Sequence, residues 1–333
     1  MYYKAYICDE LGDINKLKLA NITKTSLKKN QLRVKIIAIG LNYVDYLMIQ
    51  GSYQYKNKMP FIPGTEACGI IVEEKCNNNN LINKKVIINT KNGCFSEEII
   101  VNEKQIIIIK NNFSIINASS FFSSALTSYV SLVETIKIKK NNYIMITGAS
   151  GAIGQSSIQL AKHLGAQVIA IVGNNNKKKI IRKLGVKYVL TKDENLYDKI
   201  MKITNNYGVD IILDINGFLK QYNILKCIKW NGIYLIVGFA DNNITSINTN
   251  YILINGLKVF GIRSGEYYRS KTKALKNSIV KKIFKLYHDG VFDIKFYNIK
   301  KFNYIIKGLT LIKDRRTAGK IIIKTKHFSD YVK

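Results

Sequence analysis

Tyr143-Ile-Met-Ile-Thr-Gly-Ala-Ser-Gly-Ala-Ile-Gly154 decides the fold. Tyr143–Ile146 is a short apolar run that reads as a buried strand. It enters a small-residue turn carrying Gly148, Gly151 and Gly154, which opens the helical pattern Ser156–Leu164. There Ile158, Leu160, Ala161 and Leu164 recur at helix spacing, and a second apolar strand, Gln167–Val172, follows. Strand, glycine turn, helix and strand form the βαβ unit of dinucleotide sites. Glycines permit a tight turn and let the backbone approach a pyrophosphate, while free N–H groups and the dipole at the helix start hold the anion. Glycines also occur in ordinary turns, and Ala149 stands where the strict Gly-x-Gly-x-x-Gly form begins, so the match is a variant. The flanking strands are what favour a nucleotide site.

The second strand tells which nucleotide. A site for NAD places Asp or Glu at its end to grip the ribose 2′-hydroxyl. Here it ends in Gly173-Asn-Asn-Asn-Lys-Lys-Lys179, with no acid. Glycine leaves room for a phosphate and the ammonium groups neutralise it, so NADPH is the expected cofactor. The plainer alternative is a solvated basic turn at the start of the next helix.

The 333 residues suffice for two domains, and 47% hydrophobic content supports a sizeable core. No apolar run approaches the roughly 20 residues of a membrane helix. Met1–Ile7 alternates like a strand, so neither a signal peptide nor a presequence is expected, and the default is a cytoplasmic enzyme. A formal charge of +30 would ordinarily point to nucleic acid. However, Lys, Asn and Ile, all with A- and T-rich codons, are spread throughout, while Arg and Pro are scarce; the charge therefore reads as compositional drift. The runs Asn77–Asn80 and Asn174–Asn176 belong to that drift and read as loops. Five cysteines (Cys8, Cys68, Cys76, Cys94, Cys227) form no Cys-x-x-Cys pair and read as reduced thiols.

Along the chain, residues 1–125 are strand-rich: Met1–Ile7, Gln31–Ile39, Ala67–Glu74, Lys85–Asn89, Ser96–Val101 and Gln105–Ile109, with one helix at Val44–Gln50. This predicts an antiparallel β domain, and it holds no histidine. From about 126 to 264 the pattern becomes βαβαβ, with strands Tyr143–Thr147, Gln167–Val172, Tyr188–Leu190, Asp210–Asp214 and Gly232–Val237 and helices near 155–164, 177–184, 195–205 and 219–228. Leu257–Ile262 adds a strand. The fold class is α/β, with a doubly wound parallel sheet beside the β domain. The tail, about 265–333, reads as a helix at Ser270–Asp289, a helix near Phe302–Lys313 and a strand at Lys320–Lys324 that returns to the first domain.

Five stretches carry a family resemblance. They are Gly40-Leu-Asn-Tyr-Val-Asp-Tyr46, Phe61-Ile-Pro-Gly-Thr-Glu-Ala-Cys-Gly69, the glycine turn with Gln159-Leu-Ala-Lys-His-Leu-Gly-Ala166, Gly261-Ile-Arg-Ser-Gly-Glu266 and Thr317-Ala-Gly-Lys320. In these the chain resembles, end to end, the zinc-independent quinone oxidoreductases, the zeta-crystallin-like branch of the medium-chain dehydrogenase/reductase superfamily. The resemblance implies a GroES-like domain, a Rossmann domain, NADPH in the cleft between them, a small quinone as substrate and a homodimer. Zinc relatives carry a Cys and a Gly-His-Glu as catalytic ligands, where this chain reads Gly64-Thr65-Glu66. The four-cysteine loop expected near residues 90–110 is missing too, so no metal is expected.

Without a Lewis acid, hydride transfer relies on proximity and on polar groups that polarise the acceptor carbonyl. The candidates are Asn42, Asp45, Tyr46, Tyr53, Thr65 and Thr127. Asn42 and Tyr53 match family positions near the nicotinamide and substrate. Asp45 reads equally as a cap of the Val44–Gln50 helix, and Tyr46 equally as a core aromatic. The match carries Ser150, Gly151, Ala152 and Ile153 to the pyrophosphate, and Gly173 and Lys177 to the 2′-phosphate. Lys192 falls where the family often has an aromatic residue or histidine near the adenosine. Asn216, Val237, Gly238, Phe239 and Arg263 fall on the nicotinamide side and the dimer-edge strand, and Lys320 matches a tail lysine at the cofactor.

Other readings compete. Thr147–Gly154 also fits the short-chain dehydrogenase turn, and Tyr188/Lys192 and Tyr222/Lys226 supply the Tyr-x-x-x-Lys spacing. That turn belongs near an N-terminus, whereas here a whole β domain precedes it. An enoyl-thioester reductase would use the same cofactor site with a tyrosine near its substrate. RNA binding is permitted by the charge, but no aromatic-interleaved basic motif supports it.

Overall fold

The computed structural model describes residues 1–76, 80–192, 195–217, 224–240, 244, 246–293 and 296–331. The chain divides into two compact units, Met1–Ser123 with Phe296–Lys333, and Ser124–Lys295.

The first unit is laid down by strands β1 (Tyr2–Ile7), β2 (Lys18–Thr23), β3 (Gln31–Gly40), β4 (Glu66–Lys75), β5 (Lys85–Asn89), β6 (Glu98–Asn102) and β7 (Ile106–Ile108). Strand β3 is the spine. Its run Leu32, Val34, Ile36, Ile37, Ala38 and Ile39 is buried on both faces, and it pairs antiparallel with β4 and β6. Strands β1 and β2 make a separate antiparallel ribbon. The helix Tyr43–Ile49 follows β3 after an extended Asn42 and buries Asp45, Tyr46, Met48 and Ile49.

The second unit is a six-stranded parallel sheet of β8 (Tyr143–Ile146), β9 (Gln167–Val172), β10 (Tyr188–Thr191), β11 (Val209–Asp214), β12 (Ile228–Ile236) and β13 (Lys258–Gly261). The spatial order is β10-β9-β8-β11-β12-β13. The chain thus winds outward from β8 through β9 and β10, then restarts on the other side of β8 with β11. This is the doubly wound order, and its ligand crevice lies where the winding reverses, at the carboxyl ends of β8 and β11.

The last strands, β14 (Phe296–Lys301) and β15 (Lys320–Lys324), belong to the first unit, where β15 pairs antiparallel with β3 through Ile322↔Gly40. Within residues 1–125 all the strand pairings are antiparallel, as expected, and β14, added at the edge from the tail, runs parallel to β15.

Other expectations are corrected. Residues 265–293, expected with the first domain, lie in the second unit. The helix Lys273–His288 buries Ile279 and Ile283, and Asp293 is clamped at its backbone N–H and C=O by the Gln159 side chain (3.2 and 2.7 Å). The single helix expected at Ser270–Asp289 is two, Ser264–Ser270 and Lys273–His288. Asn174–Asn176 is not a loop: the Asn174 side chain accepts the Lys177 N–H and caps the helix Asn175–Arg182. Of the helix expected near 219–228, residues 218–223 lie outside the described residues, and Ile224–Cys227 form a 3-10 turn. Most of the Asn77–Asn80 run is likewise outside them.

Candidate functional site

In the first unit, five polar side chains meet where β3 leaves its sheet, Asn42, Asp45, Thr65, Glu66 and Lys320. The Asp45 carboxylate accepts the backbone N–H of Asn42 on Oδ2 (2.8 Å) and the Thr65 hydroxyl on Oδ1 (2.8 Å). The first bond is the reciprocal half of a capping box, so Asp45 does hold the helix start. Lys320 Nζ donates to Glu66 Oε2 (2.8 Å) and to Asn42 Oδ1 (2.5 Å). Glu66 Oε1 accepts the Ser123 N–H (2.8 Å). Because the ammonium sits on Asn42 Oδ1, the Nδ2 end of that amide is its donor end, 3.3 Å from Thr65 Oγ1 and from Glu66 Oε2. Asp45, Glu66 and Lys320 are buried, whereas Asn42 and Thr65 are half-buried. Burial lifts the Asp45 carboxyl to about 7, against the lowering pull of the Thr65 hydroxyl, the Asn42 N–H and the Lys320 charge.

Tyr46 is placed in the hydrophobic core of the first unit, its ring 5.6 Å from that of Tyr43, so the core reading of this residue fits its position. Tyr53 is half-buried, its N–H donating to Leu47 O (3.2 Å). Thr127 lies in the second unit, where its hydroxyl is 2.8 Å from that of Ser264.

In the second unit the proposed cofactor residues gather at the carboxyl ends of the parallel strands. Gly148, in the turn after β8, is in the left-handed region (φ +60°), and a Cβ there would lie 2.5 Å from Asn216 Oδ1. Gly154 lets the helix Ala152–His163 lie on the turn, since its Cβ would fall 2.5 Å from Gly148 O and 2.6 Å from Ala149 backbone atoms. Gly151 differs from both. It caps the helix in extended geometry, and a Cβ would meet only Gly148 O, at 3.5 Å. Ser150 is buried, its carbonyl accepting from Gln155 Nε2 (2.9 Å). Ala152 and Ile153 occupy the first helical turn, whose N–H groups lack intrahelical acceptors. The glycine turn fits a pyrophosphate: the two glycines that pack against protein shape it, and Gly151 leaves its surface open.

At the end of β9, Gly173 has nothing within 4 Å of a built Cβ, and Lys177 is half-buried one helical turn on. Lys192 closes β10, its N–H on Val172 O (3.1 Å). Asn216 follows β11, and Val237, Gly238 and Phe239 follow β12. The Val237 N–H donates to Asp214 O (2.8 Å). Arg263, after β13, is exposed and stands 3.9 Å from Glu266.

Two residues escape the sequence reading. Glu66 opens the buried strand β4 and holds Lys320. The available signal is that an acid and a lysine each stand at the head of a buried apolar run, Ala67–Ile71 and Ile321–Ile323. Asp214, fully buried at the end of β11, accepts from Thr147 Oγ1 (2.6 Å), Tyr234 OH (2.7 Å) and the N–H groups of Asn216 and Gly217 (both 3.1 Å). It fixes the loop that carries Asn216 against Gly148.

The chain matches the alcohol dehydrogenase GroES-like domain over residues 28–111 and the zinc-binding dehydrogenase domain over residues 152–281. It is 28% identical over 334 residues to a quinone oxidoreductase-like protein 2 homolog of Nematostella vectensis, covering 97% of this chain and 89% of that one. In fold it is similar to the Escherichia coli quinone oxidoreductase complexed with NADPH (TM-score 0.87, 22% identity, 97% and 99% of the two chains). It is also similar to the JamJ enoyl reductase (TM-score 0.85, 20% identity, 98% and 100%). The protein is an oxidoreductase of the medium-chain dehydrogenase/reductase superfamily. Within it, the chain belongs to the quinone oxidoreductase family.

Proposed function

We propose that the protein is an NADPH-dependent quinone reductase that transfers hydride to a small quinone or related activated carbonyl without a metal ion. The observation that carries this reading is the Asn42–Thr65–Glu66–Lys320 cluster. Zinc relatives put a histidine where Thr65 stands, and here Glu66 is bound by an ammonium 2.8 Å away. A buried cation in that place repels a second one, and a hydroxyl is a poor zinc ligand. These residues do not fit zinc, and no step passes through it.

NADPH supplies the hydride when bound. Gly173 and Lys177 favour its 2′-phosphate, and Ser150, Gly151, Ala152 and Ile153 its pyrophosphate. Lys192, Asn216, Val237, Gly238, Phe239 and Arg263 complete the binding set. In the first unit the Asn42 amide and the hydroxyls of Thr65 and Tyr53 are the donors for the acceptor oxygen as charge develops on it, and Thr127 is the candidate hydroxyl of the second unit. Lys320 serves by orienting Asn42. A homodimer in the cytoplasm completes the proposal; five free cysteines suit a reducing compartment, and no helix of the described residues is long and apolar enough to cross a membrane.

The test is the rate of NADPH oxidation by 1,4-benzoquinone with protein treated with a chelator. An unchanged rate supports the metal-free reading, and loss of rate restored by zinc contradicts it. The likeness to an enoyl reductase favours a second reading, reduction of an activated C=C bond in a thioester. Faster turnover of an enoyl thioester than of any quinone would select it.

A further inference from the structure

We infer that Asp45 delivers, through the Thr65 hydroxyl, the proton that completes reduction of the substrate. The inference rests on the reading of the protein as a hydride-transferring reductase and assigns the second half of that reaction. Hydride addition to a quinone leaves an oxyanion, and a hydroquinone forms only when a proton reaches it.

The geometry gives the Asp45 proton a route through Thr65. Asp45 is fully buried, so its carboxyl has no direct exchange with water. Its Oδ2 is held by the Asn42 backbone N–H at 2.8 Å, which leaves Oδ1 to carry the acidic proton. Oδ1 faces Thr65 Oγ1 at 2.8 Å, and Thr65, unlike Asp45, is only half-buried. Helix capping accounts for the Oδ2 bond alone and needs neither Thr65 nor full burial.

Thr65 is a rotor with two settings. When Asp45 is ionised, the hydroxyl donates inward to Oδ1. When Asp45 is protonated, Oδ1–H donates to Oγ1 and the threonine hydrogen turns outward. Asn42 Nδ2, 3.3 Å from Oγ1, steadies the oxygen in both. Three titratable groups bear on Asp45: Lys320 from β15, Glu66 from β4 and Cys94 from the segment before β6. Lysine favours the ionised acid and glutamate the protonated one, while burial pushes the thiol far up and keeps it neutral. With burial dominating, Asp45 exchanges its proton near neutrality.

The step balances. The hydride adds two electrons and one hydrogen to the quinone, and the nicotinamide is oxidised. The Thr65 hydroxyl proton passes to the oxyanion, the Asp45 proton passes to Thr65 Oγ1, and Asp45 is left as carboxylate. Uptake of one proton from water resets it. Thr65 is the catalytic residue here, and Asp45 acts behind it.

Two measurements test this. The first is a 13C titration of the Asp45 carboxyl in protein labelled at aspartate, assigned by the resonance lost in Asp45→Asn. A midpoint between pH 6 and 8 is expected, and an ordinary carboxylate midpoint would overturn the proposal. The second is kcat against pH. Wild-type kcat should fall as pH rises through the same midpoint, and Asp45→Asn and Thr65→Val should each lower kcat about 100-fold and remove that limb. Thr65→Ser, which keeps the hydroxyl, should restore it. Asp45→Asn keeps an oxygen for the cap, so wild-type kcat in this variant sinks the relay while leaving the reductase reading intact. Wild-type protein that turns over no quinone sinks that reading, and the relay with it.

Discussion

Lys320 Nζ lies 2.8 Å from Glu66 Oε2 with the two side chains 2% and 0% exposed, a buried ion pair joining strand β15, near the end of the chain, to strand β4 across β3. The same ammonium orients Asn42. A residue placed at the cofactor by family resemblance therefore has a position inside the first unit that the comparison of motifs does not reveal.

Breaking this pair on one side leaves a buried charge unpaired. Lys320→Met and Glu66→Gln should each lower stability by about 3–5 kcal/mol in urea unfolding. The double variant should lose clearly less than the sum, because it removes both charges. Simple additivity would show that the two groups are not coupled.

Asp45 ties stability to pH. An unfolded aspartate releases its proton near ~3.9, whereas the folded one keeps it to about 7. Between these values the folded state binds more protons, so its stability is greatest below the lower value and falls as pH rises through the upper one. Urea midpoints should fall from pH 5 to pH 8 in the wild type and more gently in Asp45→Asn. Parallel profiles would contradict the raised folded value.

The three glycines of the turn should separate. Gly154→Ala puts a methyl group 2.5–2.6 Å from the backbone of Gly148 and Ala149, so the helix must move. A loss of about 1–3 kcal/mol is expected. Gly148→Ala adds strain at φ +60°. At Gly151 the methyl meets only ordinary contact. Gly151→Ala should therefore stay within about 0.5 kcal/mol of wild type while weakening NADPH binding at least tenfold in a fluorescence titration. Unchanged affinity would remove the pyrophosphate from this turn.

Gly173 stands in open space at the end of β9. Gly173→Asp introduces the acid that a ribose 2′-hydroxyl prefers and a 2′-phosphate repels. Affinity for NADPH should drop more than tenfold while that for NADH rises or holds. Lys177→Glu should raise the Michaelis constant for NADPH more than that for NADH. Equal effects on both cofactors would deny the phosphate a place here.

What was legible in the sequence follows from how apolar each element is. The strands β3, β4, β8, β9 and β11 are buried runs, and their periodicity shows. By contrast β2 (KLANIT) is mostly exposed along its length. Strand β14 (FYNIKK) sits at the edge of its sheet, and its residues look like loop filler in a chain rich in Lys and Asn. Asn174–Asn176 was misleading for the same reason, because the first asparagine is a cap and the next two are helical. The glycine turn was readable because its chemistry lies in local spacing, whereas Asn42 was named only through the family resemblance. The partnership of Glu66 with Lys320 was not readable, since its members are 254 positions apart and only the pairing of β15 with β3 brings them together.

The most direct test of the central claim is the loss of 340 nm absorbance when NADPH is mixed with the protein and either 1,4-benzoquinone or a short enoyl thioester, with NADH as a parallel donor. The account predicts a higher kcat/KM for the quinone than for the thioester, and for NADPH than for NADH. Tight NADPH binding with turnover of the thioester alone would contradict it.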